Sequence, residues 1–348
     1  MSKTEQRKRD HIQLALEKDV SAHYNYWDDV SLQHNALPEV DEHDIDLSTT
    51  LFGKKLGAPL IISGMTGGFS DAKKINENLA VGAEKYQLGM GVGSQRAALE
   101  NSQLKETYSI IKNYDIPLKI ANIGASQIVL WDKKKILENA EKIVEMIDAD
   151  IIAVCLNFLQ EVVQPEGEAH AKGCLKTIDM LTKEFGRPVI IKESGAGISY
   201  QVAKKLSTTK IAGIDVGGAG GTSFSAVEYY RAQEENDVLN IRRGRTFWDW
   251  GIPTPQSILE VKKALDAKRP IIATGGIRNG LDVAKAIALG ANVAGVAHAL
   301  LKPAIKHKQA TIIEIGALTK ELETTMFLVG ADTVSKLSKA MVKYDAKK

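Results

Sequence analysis

Eight short apolar runs, each followed by a turn containing Gly or Ser and then by a helical pattern, constrain the fold of this chain most. The runs are continuous rather than alternating, which is typical of parallel strands buried on both faces. They cover residues 59–64, 88–94, 118–124, 151–158, 188–194, 211–218, 270–276 and 293–300. Eight such units predict a closed (β/α)8 barrel of the TIM type. An open, doubly wound parallel sheet is the alternative.

Three stretches lie outside this repeat. We expect one domain over residues 1–348, in which 1–55 form an N-terminal helical arm with a polar segment. Residues 56–304 then form the barrel, and 305–348 form C-terminal helices that cover it. An insertion rich in arginine and tryptophan follows the sixth run at 228–255. It contains too many aromatic residues for a disordered segment.

Composition excludes several classes of protein. The chain has 45 Lys and Arg against 43 Asp and Glu, a net charge of +2, which argues against general nucleic-acid binding. We find no apolar stretch of the roughly 18 residues needed to cross a membrane. Cys155 and Cys174 form no disulfide framework. The N-terminus has neither a secretory signal nor a transit pattern, so we expect a cytoplasmic protein.

Two glycine-rich loops follow the sixth and seventh runs. In a barrel, catalytic groups lie at the carboxyl ends of the strands, and phosphates often bind after strands seven and eight. Residues 275–280 precede a helix expected from about Asp282, so their free amides favour a phosphate site. A turn needed only for close packing is the alternative. Residues 217–222 suit a flat or phosphorylated ligand, or a flexible hinge.

Charged residues near the strand ends leave more alternatives. Lys192 could contact a cofactor, form a Schiff base or lie exposed at a strand end. Glu161, beside Gln160, could hold Mg²⁺ if substrate phosphates and waters supplied the other oxygens. A solvated or helix-capping glutamate is the commoner case. Arg7-Lys8-Arg9 with His11 is typical of a solvated helix face, but it could also clamp a phosphate.

Taken together, these motifs resemble one family over nearly the whole chain, the type 2 isopentenyl-diphosphate isomerases. These are FMN-dependent barrel enzymes. The matching segments are 6–11, Met65-Thr66-Gly67-Gly68, 92–96, Asn157 with Gln160-Glu161, 164–167, 191–193, 220–222 and 275–278. Glycine loops occur in every flavin barrel, but this combination is specific.

The resemblance implies an isomerase of isoprenoid biosynthesis that interconverts isopentenyl and dimethylallyl diphosphate. Reduced FMN and Mg²⁺ would be its cofactors, and NADPH would reduce the flavin. The flavin would contact Ser63, Met65, Thr66, Gly67, Ser94, Asn122, Lys192 and Thr222, with its phosphate at Gly275, Gly276, Ile277, Arg278, Ala297 and His298. Substrate would bind Arg7, Lys8, His11, Ser94, Gln95, Arg96, Asn157 and Gln160. Gln160 would be catalytic, Glu161 would hold the metal, and a homo-oligomer, a tetramer or octamer, is expected.

The chain departs from the family pattern in three places. Cys155 stands where many members have histidine, Phe158-Leu159 where bacterial relatives often have Ser-Pro, and Gly217 where serine is common. These changes concern the surroundings of the flavin ring. They leave the predicted phosphate and diphosphate sites intact.

Three other functions fit these residues less well. An FMN-dependent 2-hydroxy-acid oxidase needs a histidine and an arginine after the sixth strand, and residues 217–222 contain neither. An inosinate-dehydrogenase-like enzyme needs a nucleophilic cysteine in the corresponding loop, but the only cysteines of the chain are Cys155 and Cys174. A non-catalytic barrel that binds a flavin or a phosphosugar would have no use for Arg7-Lys8, Gln160 and Glu161 together.

Overall fold

The computed structural model describes residues 3–346, and its N-terminal segment both covers and closes the barrel. Helix α1 (Lys3–Glu17) is followed by two 3-10 turns, Tyr26–Asp29 and Glu42–Asp44. Three short strands belong to the same segment: β1 (Val30–Leu32), β2 (Thr49–Leu51) and β3 (Lys54–Leu56). Strands β2 and β3 pair as an antiparallel hairpin. Its Leu51 and Leu56 pack with Ile61 and Leu118 from the starts of barrel strands, so the hairpin closes the amino-terminal end.

Eight parallel strands form the closed barrel, which confirms the predicted fold. They are β4 (Leu60–Ile62), β5 (Gly89–Gly91), β6 (Leu118–Gly124), β7 (Ile151–Cys155), β8 (Val189–Lys192), β9 (Gly213–Asp215), β10 (Ile271–Thr274) and β11 (Val293–Val296). Each strand pairs with the next in sequence, and β11 pairs with β4. Seven of them are shorter than the apolar runs, because the last residues of those runs leave the sheet and enter the loops at the barrel mouth.

Helices surround the barrel. They are α2 (Ala72–Lys85), α3 (Arg96–Glu100), α4 (Glu106–Ser109), α5 (Ala125–Ile128), α6 (Lys133–Ile147), α7 (Phe158–Val163), α8 (Cys174–Glu184), α9 (Tyr200–Leu206), α10 (Phe224–Glu234), α11 (Val238–Thr246), α12 (Thr254–Ala264), α13 (Gly280–Leu289), α14 (His298–Lys306), α15 (Lys308–Leu328) and α16 (Val334–Leu337). Among the described residues, no helix is both long and apolar enough to span a membrane.

Helix α6 illustrates how the sequence sets these elements. The Asp132 side chain caps its first turn by accepting from Lys135 N, at 2.8 Å. Ile136, Ile143 and Ile147 then recur on one face and are buried against the barrel. The helix ends where Asp148 adopts a left-handed conformation.

Some boundaries differ from those predicted. Helix α1 runs from Lys3 to Glu17, so residues 7–11 all lie on one helix of the N-terminal arm. The insertion at 228–255 is mostly helical, since α10, α11 and the start of α12 occupy it. The C-terminal part contains helices but also a strand, β12 (Val342–Tyr344), which pairs with β1. The chain thus ties its C-terminal part to its N-terminal segment.

Candidate active site

The loops at the carboxyl ends of the strands surround a cavity of about 570 Å³. Helices α1 and α10 complete its wall. Most residues predicted for the site line it: Arg7, Lys8, His11, Ser63, Met65, Thr66, Ser94, Arg96, Asn122, Asn157, Gln160, Glu161, Lys192, Thr222, Gly275, Gly276, Ile277, Arg278, Ala297 and His298. Residues from an N-terminal helix and from all eight strand ends therefore meet at one place.

Two predicted residues are not brought into this cavity. The Gln95 side chain is fully buried, where its Nε2 donates to Ile143 O at 2.8 Å and its Oε1 accepts from Asn122 N at 3.0 Å. Both ends of the amide are thus used inside the protein, and Gln95 fixes the end of β6 instead of facing a substrate. Gly67 has a φ of +145° and lies against the Tyr108 ring, where a Cβ would clash.

Unsatisfied polar atoms in the cavity indicate where a ligand fits. Thr66 Oγ1 and Asn122 Oδ1 are buried, line the cavity and have no hydrogen-bond partner within residues 3–346. Buried polar atoms normally have partners, so these two call for a ligand that supplies them. Asn122 Nδ2 donates to Val92 O at 3.1 Å. This bond fixes the orientation of the amide and leaves Oδ1 available to accept a hydrogen bond from a ligand. A flat ring with N–H and C=O groups, such as the flavin implied by the sequence, fits this set.

Lys192 lies at the cavity floor beside a carboxylate that the sequence analysis did not identify as part of the site. Its Nζ donates to Glu193 O at 3.0 Å and lies 3.7 Å from Asp215 Oδ2. Burial by itself lowers the pKa of Lys192, but Asp215 and the smaller effects of Cys155 and Glu193 together outweigh burial, and the pKa is raised. The ammonium therefore keeps its charge. Asp215 interrupts the sixth apolar run, and that was the signal available in the sequence.

The departures from the family pattern have local explanations. Cys155 lines the cavity as the pairing partner of Lys192 in the sheet, and burial raises the pKa of its thiol to about 11. It is therefore a neutral thiol at physiological pH. Gly217 has a φ of +47°, and a Cβ there would lie 2.0 Å from Glu193 O. The loop in this conformation cannot take a serine without moving.

Two side chains of the N-terminal segment donate hydrogen bonds to carbonyl oxygens of the predicted phosphate loop. Asn25 Nδ2 donates to Gly276 O at 2.9 Å, and Trp27 Nε1 donates to Gly275 O at 2.8 Å. Gly275 and Gly276 both have positive φ, at +123° and +71°. The amides of Gly276 and Ile277 have no acceptor in the described part of the chain. They are free to bind an anion.

The helix expected to bind the phosphate, however, is already capped. Asn279 accepts from Asp282 N, and Glu321 accepts from Gly280 N, both at the start of α13. The Arg278 guanidinium is paired with Asp282 at 2.9 Å. By contrast, α14 begins at His298 without a side-chain cap, and its first residues line the cavity. The geometry therefore favours the start of α14, together with Gly276 and Ile277, as the anion site.

Three of the cations that line the cavity lie on α1 and at the start of α3. They are Arg7, Lys8 and Arg96. Lys8 Nζ donates to Ser94 O at 2.9 Å and to Tyr108 Oη at 3.2 Å. Burial and then the charge of Arg7 lower the pKa of Lys8 to about 7. Tyr108 was missed by the sequence analysis because it lies in α4, away from every strand end.

Glu161 is the buried carboxylate of this region. Its Oε2 accepts from Gln164 Nε2 at 2.8 Å and from Glu168 N at 3.0 Å. Asn157 Nδ2 lies between Glu161 Oε1, at 3.2 Å, and Gln160 Oε1, at 3.1 Å. One carboxylate fits Mg²⁺ only if a substrate and waters supply the remaining oxygens. Within residues 3–346, the one closely spaced group of potential metal ligands is exposed and outside the cavity: Asp41, His43 and Asp44.

Helix α1 is docked over the cavity by both apolar and polar contacts. Leu14 of α1 and Val20, which follows the helix, pack against Ala226 and Val227 of α10. His11 Nε2 lies 2.7 Å from Glu228 Oε1. His298 Nε2 lies 3.0 Å from Ala15 O, so this residue contacts the arm. The arm is therefore a wall of the site rather than a free segment.

Comparison with known proteins decides the family. Residues 158–344 match the FMN-dependent dehydrogenase family. The isopentenyl-diphosphate delta-isomerase of Thermoplasma volcanium is 48% identical over 96% of this chain and 95% of its own length. The isomerases of Thermoplasma acidophilum and Archaeoglobus fulgidus are 46% and 43% identical, over 95% and 96% of this chain and 94% of each relative. The chain belongs to the isopentenyl-diphosphate delta-isomerase family. The match to FMN-dependent enzymes identifies the type 2 branch, which confirms the predicted family and its dependence on FMN.

Solved structures agree on the fold of this isomerase family member. Mandelate oxidase with (S)-2-phenylpropionate has a TM-score of 0.66 and 18% identity, covering 98% of this chain and 97% of the oxidase. A second mandelate oxidase structure, with 3,3-difluoro-2-hydroxy-3-phenylpropionic acid, has a TM-score of 0.65 and 16% identity, covering 98% of both chains. At this identity the likeness concerns the barrel alone.

Proposed function

We propose that this chain interconverts isopentenyl diphosphate and dimethylallyl diphosphate in isoprenoid biosynthesis, using reduced FMN and Mg²⁺. The observation that carries the proposal is the composition of one cavity. It combines unsatisfied groups suited to a flavin, at Thr66 and Asn122, with a wall of three cations suited to a diphosphate. The names of the relatives support the same reaction.

The reaction moves a double bond by adding a proton to one carbon and removing a proton from another, without net oxidation. Reduced FMN, when bound, supplies an electron-rich ring with an exchangeable proton beside the substrate. Lys192 contributes a retained positive charge that favours an anionic ring. Thr66 and Asn122 would orient the ring by hydrogen bonds. The amides of Gly276 and Ile277, together with the start of α14, would hold its phosphate.

The substrate diphosphate is bound by Arg7, Lys8 and Arg96. Glu161 would hold Mg²⁺, a hard cation that favours carboxylate oxygen and would supply positive charge beside the diphosphate. Gln160 lines the same cavity, where its amide, which does not titrate, would contact the isoprene unit as the proposed catalytic group. Helix α1 excludes water from the reacting atoms, which strengthens every charge interaction inside the cavity.

An oxidase function is less well supported, even though the fold neighbours are oxidases. A 2-hydroxy-acid oxidase needs a base and a carboxylate-binding arginine after the sixth strand. Residues 217–222 reach the cavity but carry neither side chain. Three cations of this cavity, Arg7, Lys8 and Arg96, lie instead on α1 and after β5, where they suit a diphosphate.

We further propose that NADPH reduces the flavin and that the chain acts in the cytoplasm. We also propose a homo-oligomer, a tetramer or octamer. Val238 and Leu239 on α11 are 74% and 80% exposed, and they offer an apolar surface for self-association.

The test is an assay of the purified, FMN-loaded protein with isopentenyl diphosphate, Mg²⁺ and NADPH. We expect dimethylallyl diphosphate to form only when the flavin is reduced, and deuterium from D₂O to enter the product. A parallel incubation with mandelate should leave oxidised flavin unreduced. Failure to form product with fully reduced flavin and Mg²⁺ would refute the proposal.

A further inference from the structure

A short segment after α7 joins the proposed metal carboxylate to a diphosphate-binding arginine. Gln164 and Glu168 both donate to Glu161 Oε2, as described above. The Glu168 carboxylate in turn accepts from Arg96 Nη1 at 2.9 Å. Gly167 permits this tight path, because a Cβ there would lie 1.7 Å from Glu161 O. The orientation of Glu161 therefore depends on where residues 164–168 lie.

Arg231 on α10 fixes this segment to the rest of the protein. Its Nη2 donates to Glu166 Oε1 at 2.9 Å, and its Nη1 donates to Glu228 Oε2 at 2.7 Å. Glu228 is only 1% exposed and also contacts His11 of helix α1. Although burial opposes ionisation, His11 and Arg231 hold the pKa of Glu228 below its usual value. Arg231 lies in the insertion at 228–255, for which the sequence indicated no role.

The third branch of the Arg231 guanidinium is incomplete. Its Nε is buried and makes no hydrogen bond to any described residue. Asp10 Oδ2 on α1 lies 3.5 Å away, just beyond hydrogen-bond distance. A movement of α1 toward the barrel by roughly 0.5 Å would complete this bond. Asp10 shares α1 with Arg7 and Lys8, so a rigid-body movement of this helix carries all three residues together.

We propose that Arg231 is a positioning residue that couples docking of α1 on a bound diphosphate to the metal site. The contact of Arg231 with Asp10 connects it to the arm. The contact of Arg231 with Glu166 connects it to residues 164–168, which orient Glu161. The inference rests on the proposed function, because it assigns the diphosphate to Arg7 and Lys8 and the metal to Glu161. Coupling between two sites is reciprocal, so Mg²⁺ at Glu161 also favours the docked arm.

The experiment changes the two outer branches and leaves the buried Arg231–Glu228 pair intact. The variants are Asp10→Asn, Glu166→Gln and both together, each loaded with FMN. Trypsin cleavage within α1, which offers Arg7, Lys8 and Arg9, is followed by intact mass with inorganic diphosphate, in the presence and absence of Mg²⁺. In the unmodified protein we expect Mg²⁺ to add about fivefold or more to the protection given by diphosphate.

Glu166→Gln should abolish this additional protection, although Glu166 is neither on the arm nor the proposed metal ligand. Asp10→Asn should raise the Mg²⁺ concentration for half-maximal isomerase activity, with kcat at saturating Mg²⁺ nearly unchanged. The double variant should be no worse than either single variant, because both break one connection. Arg245→Met, an exposed change on α11 that touches only Tyr229 among its described polar and ring contacts, is the matched control.

Additive effects of the two changes, or equal Mg²⁺-dependent protection in Glu166→Gln and the unmodified protein, would overturn the coupling. Unmodified protein whose arm gains nothing from Mg²⁺ would overturn it as well. Protection without any isomerisation would instead overturn the proposed function and leave the coupling standing. Isomerisation with an unchanged Mg²⁺ requirement in both variants would overturn the coupling alone.

Discussion

Lys192 Nζ lies 3.7 Å from Asp215 Oδ2, and these residues are paired at the ends of neighbouring strands. Their side chains are only 12% and 4% exposed. Two buried charges of opposite sign stabilise each other, but either one alone carries a large desolvation cost. Asp215 therefore keeps the Lys192 ammonium charged at the floor of the cavity, although the pair as a whole is neutral.

Lys192→Ala should weaken FMN binding or slow flavin reduction, because it removes this charge. It should also lower the melting temperature, since breaking a buried pair costs about 3–5 kcal/mol. FMN fluorescence titration and stopped-flow reduction measure the first effect. The double variant Lys192→Met with Asp215→Asn separates the effect on flavin from the effect on stability, because it removes both members of the ion pair. We expect this double variant to regain stability but not flavin affinity; recovery of both would mean that Lys192 serves only to balance Asp215.

Glu161→Gln should raise the Mg²⁺ concentration for half-maximal activity at least about tenfold, equivalent to ~1.4 kcal/mol, while FMN stays bound. The amide keeps one oxygen but loses the charge that holds a hard cation. Activity titrated against Mg²⁺ measures the effect. Glu141→Gln, which changes a half-exposed carboxylate on α6, is the matched control. Superimposable curves for Glu161→Gln and the unmodified enzyme would show that Glu161 only orders residues 164–168.

Diphosphate binding should take up a proton above neutral pH. Because the pKa of Lys8 is lowered to about 7, the free enzyme loses this charge as pH rises through 7. A bound diphosphate stabilises the ammonium and raises the pKa, so affinity should fall by up to about tenfold per pH unit above 7. Calorimetry of inorganic diphosphate at pH 8, in two buffers with different ionisation enthalpies, counts the proton. Lys8→Arg should abolish the uptake, and equal uptake in that variant would contradict the assignment.

The sequence predicted the barrel because its apolar runs record directly which segments are buried on both faces. The strand ends were predictable because each apolar run stops at polar residues and glycines, and polar residues at the ends of buried strands are often functional. Gln95 shows where this reasoning stops. In the sequence it follows a strand, as its neighbours Ser94 and Arg96 do. Its burial depends on contacts with distant residues, such as the hydrogen bond to the carbonyl oxygen of Ile143 on α6, which the sequence does not reveal.

Residues brought in by distant segments were beyond reach for a related reason. Tyr108 approaches Lys8 across 100 residues of sequence, and no periodicity records such a contact. The cap on α13 likewise depends on Glu321 from α15, so residues 275–280 alone could not show that the start of this helix is already capped. The predicted phosphate site also included Ala297 and His298, at the uncapped start of α14. Hairpin β2–β3 was missed because only Leu51 and Leu56 are buried in it, which leaves too few positions to form a pattern.

The N-terminal arm gives the sharpest test of the diphosphate site, because Arg7 lines the cavity but lies on a helix outside the barrel. Arg7→Ala removes a charge-assisted contact of ~1.5–3 kcal/mol, so KM for isopentenyl diphosphate should rise about ten- to hundredfold. FMN affinity and melting temperature should barely change, since Leu14 and Val20 still dock the arm.

Two further measurements make this prediction specific to Arg7. Arg9→Ala, an exposed change on the same helix, should leave KM unchanged. Because the charge of Arg7 helps to lower the pKa of Lys8, Arg7→Ala should also move the pH at which affinity declines upward from about 7. Substrate should protect α1 from trypsin in the unmodified enzyme and protect it less in Arg7→Ala. A variant with normal KM, or an arm cut equally fast with and without substrate, would return Arg7 to a solvated helix face that takes no part in binding.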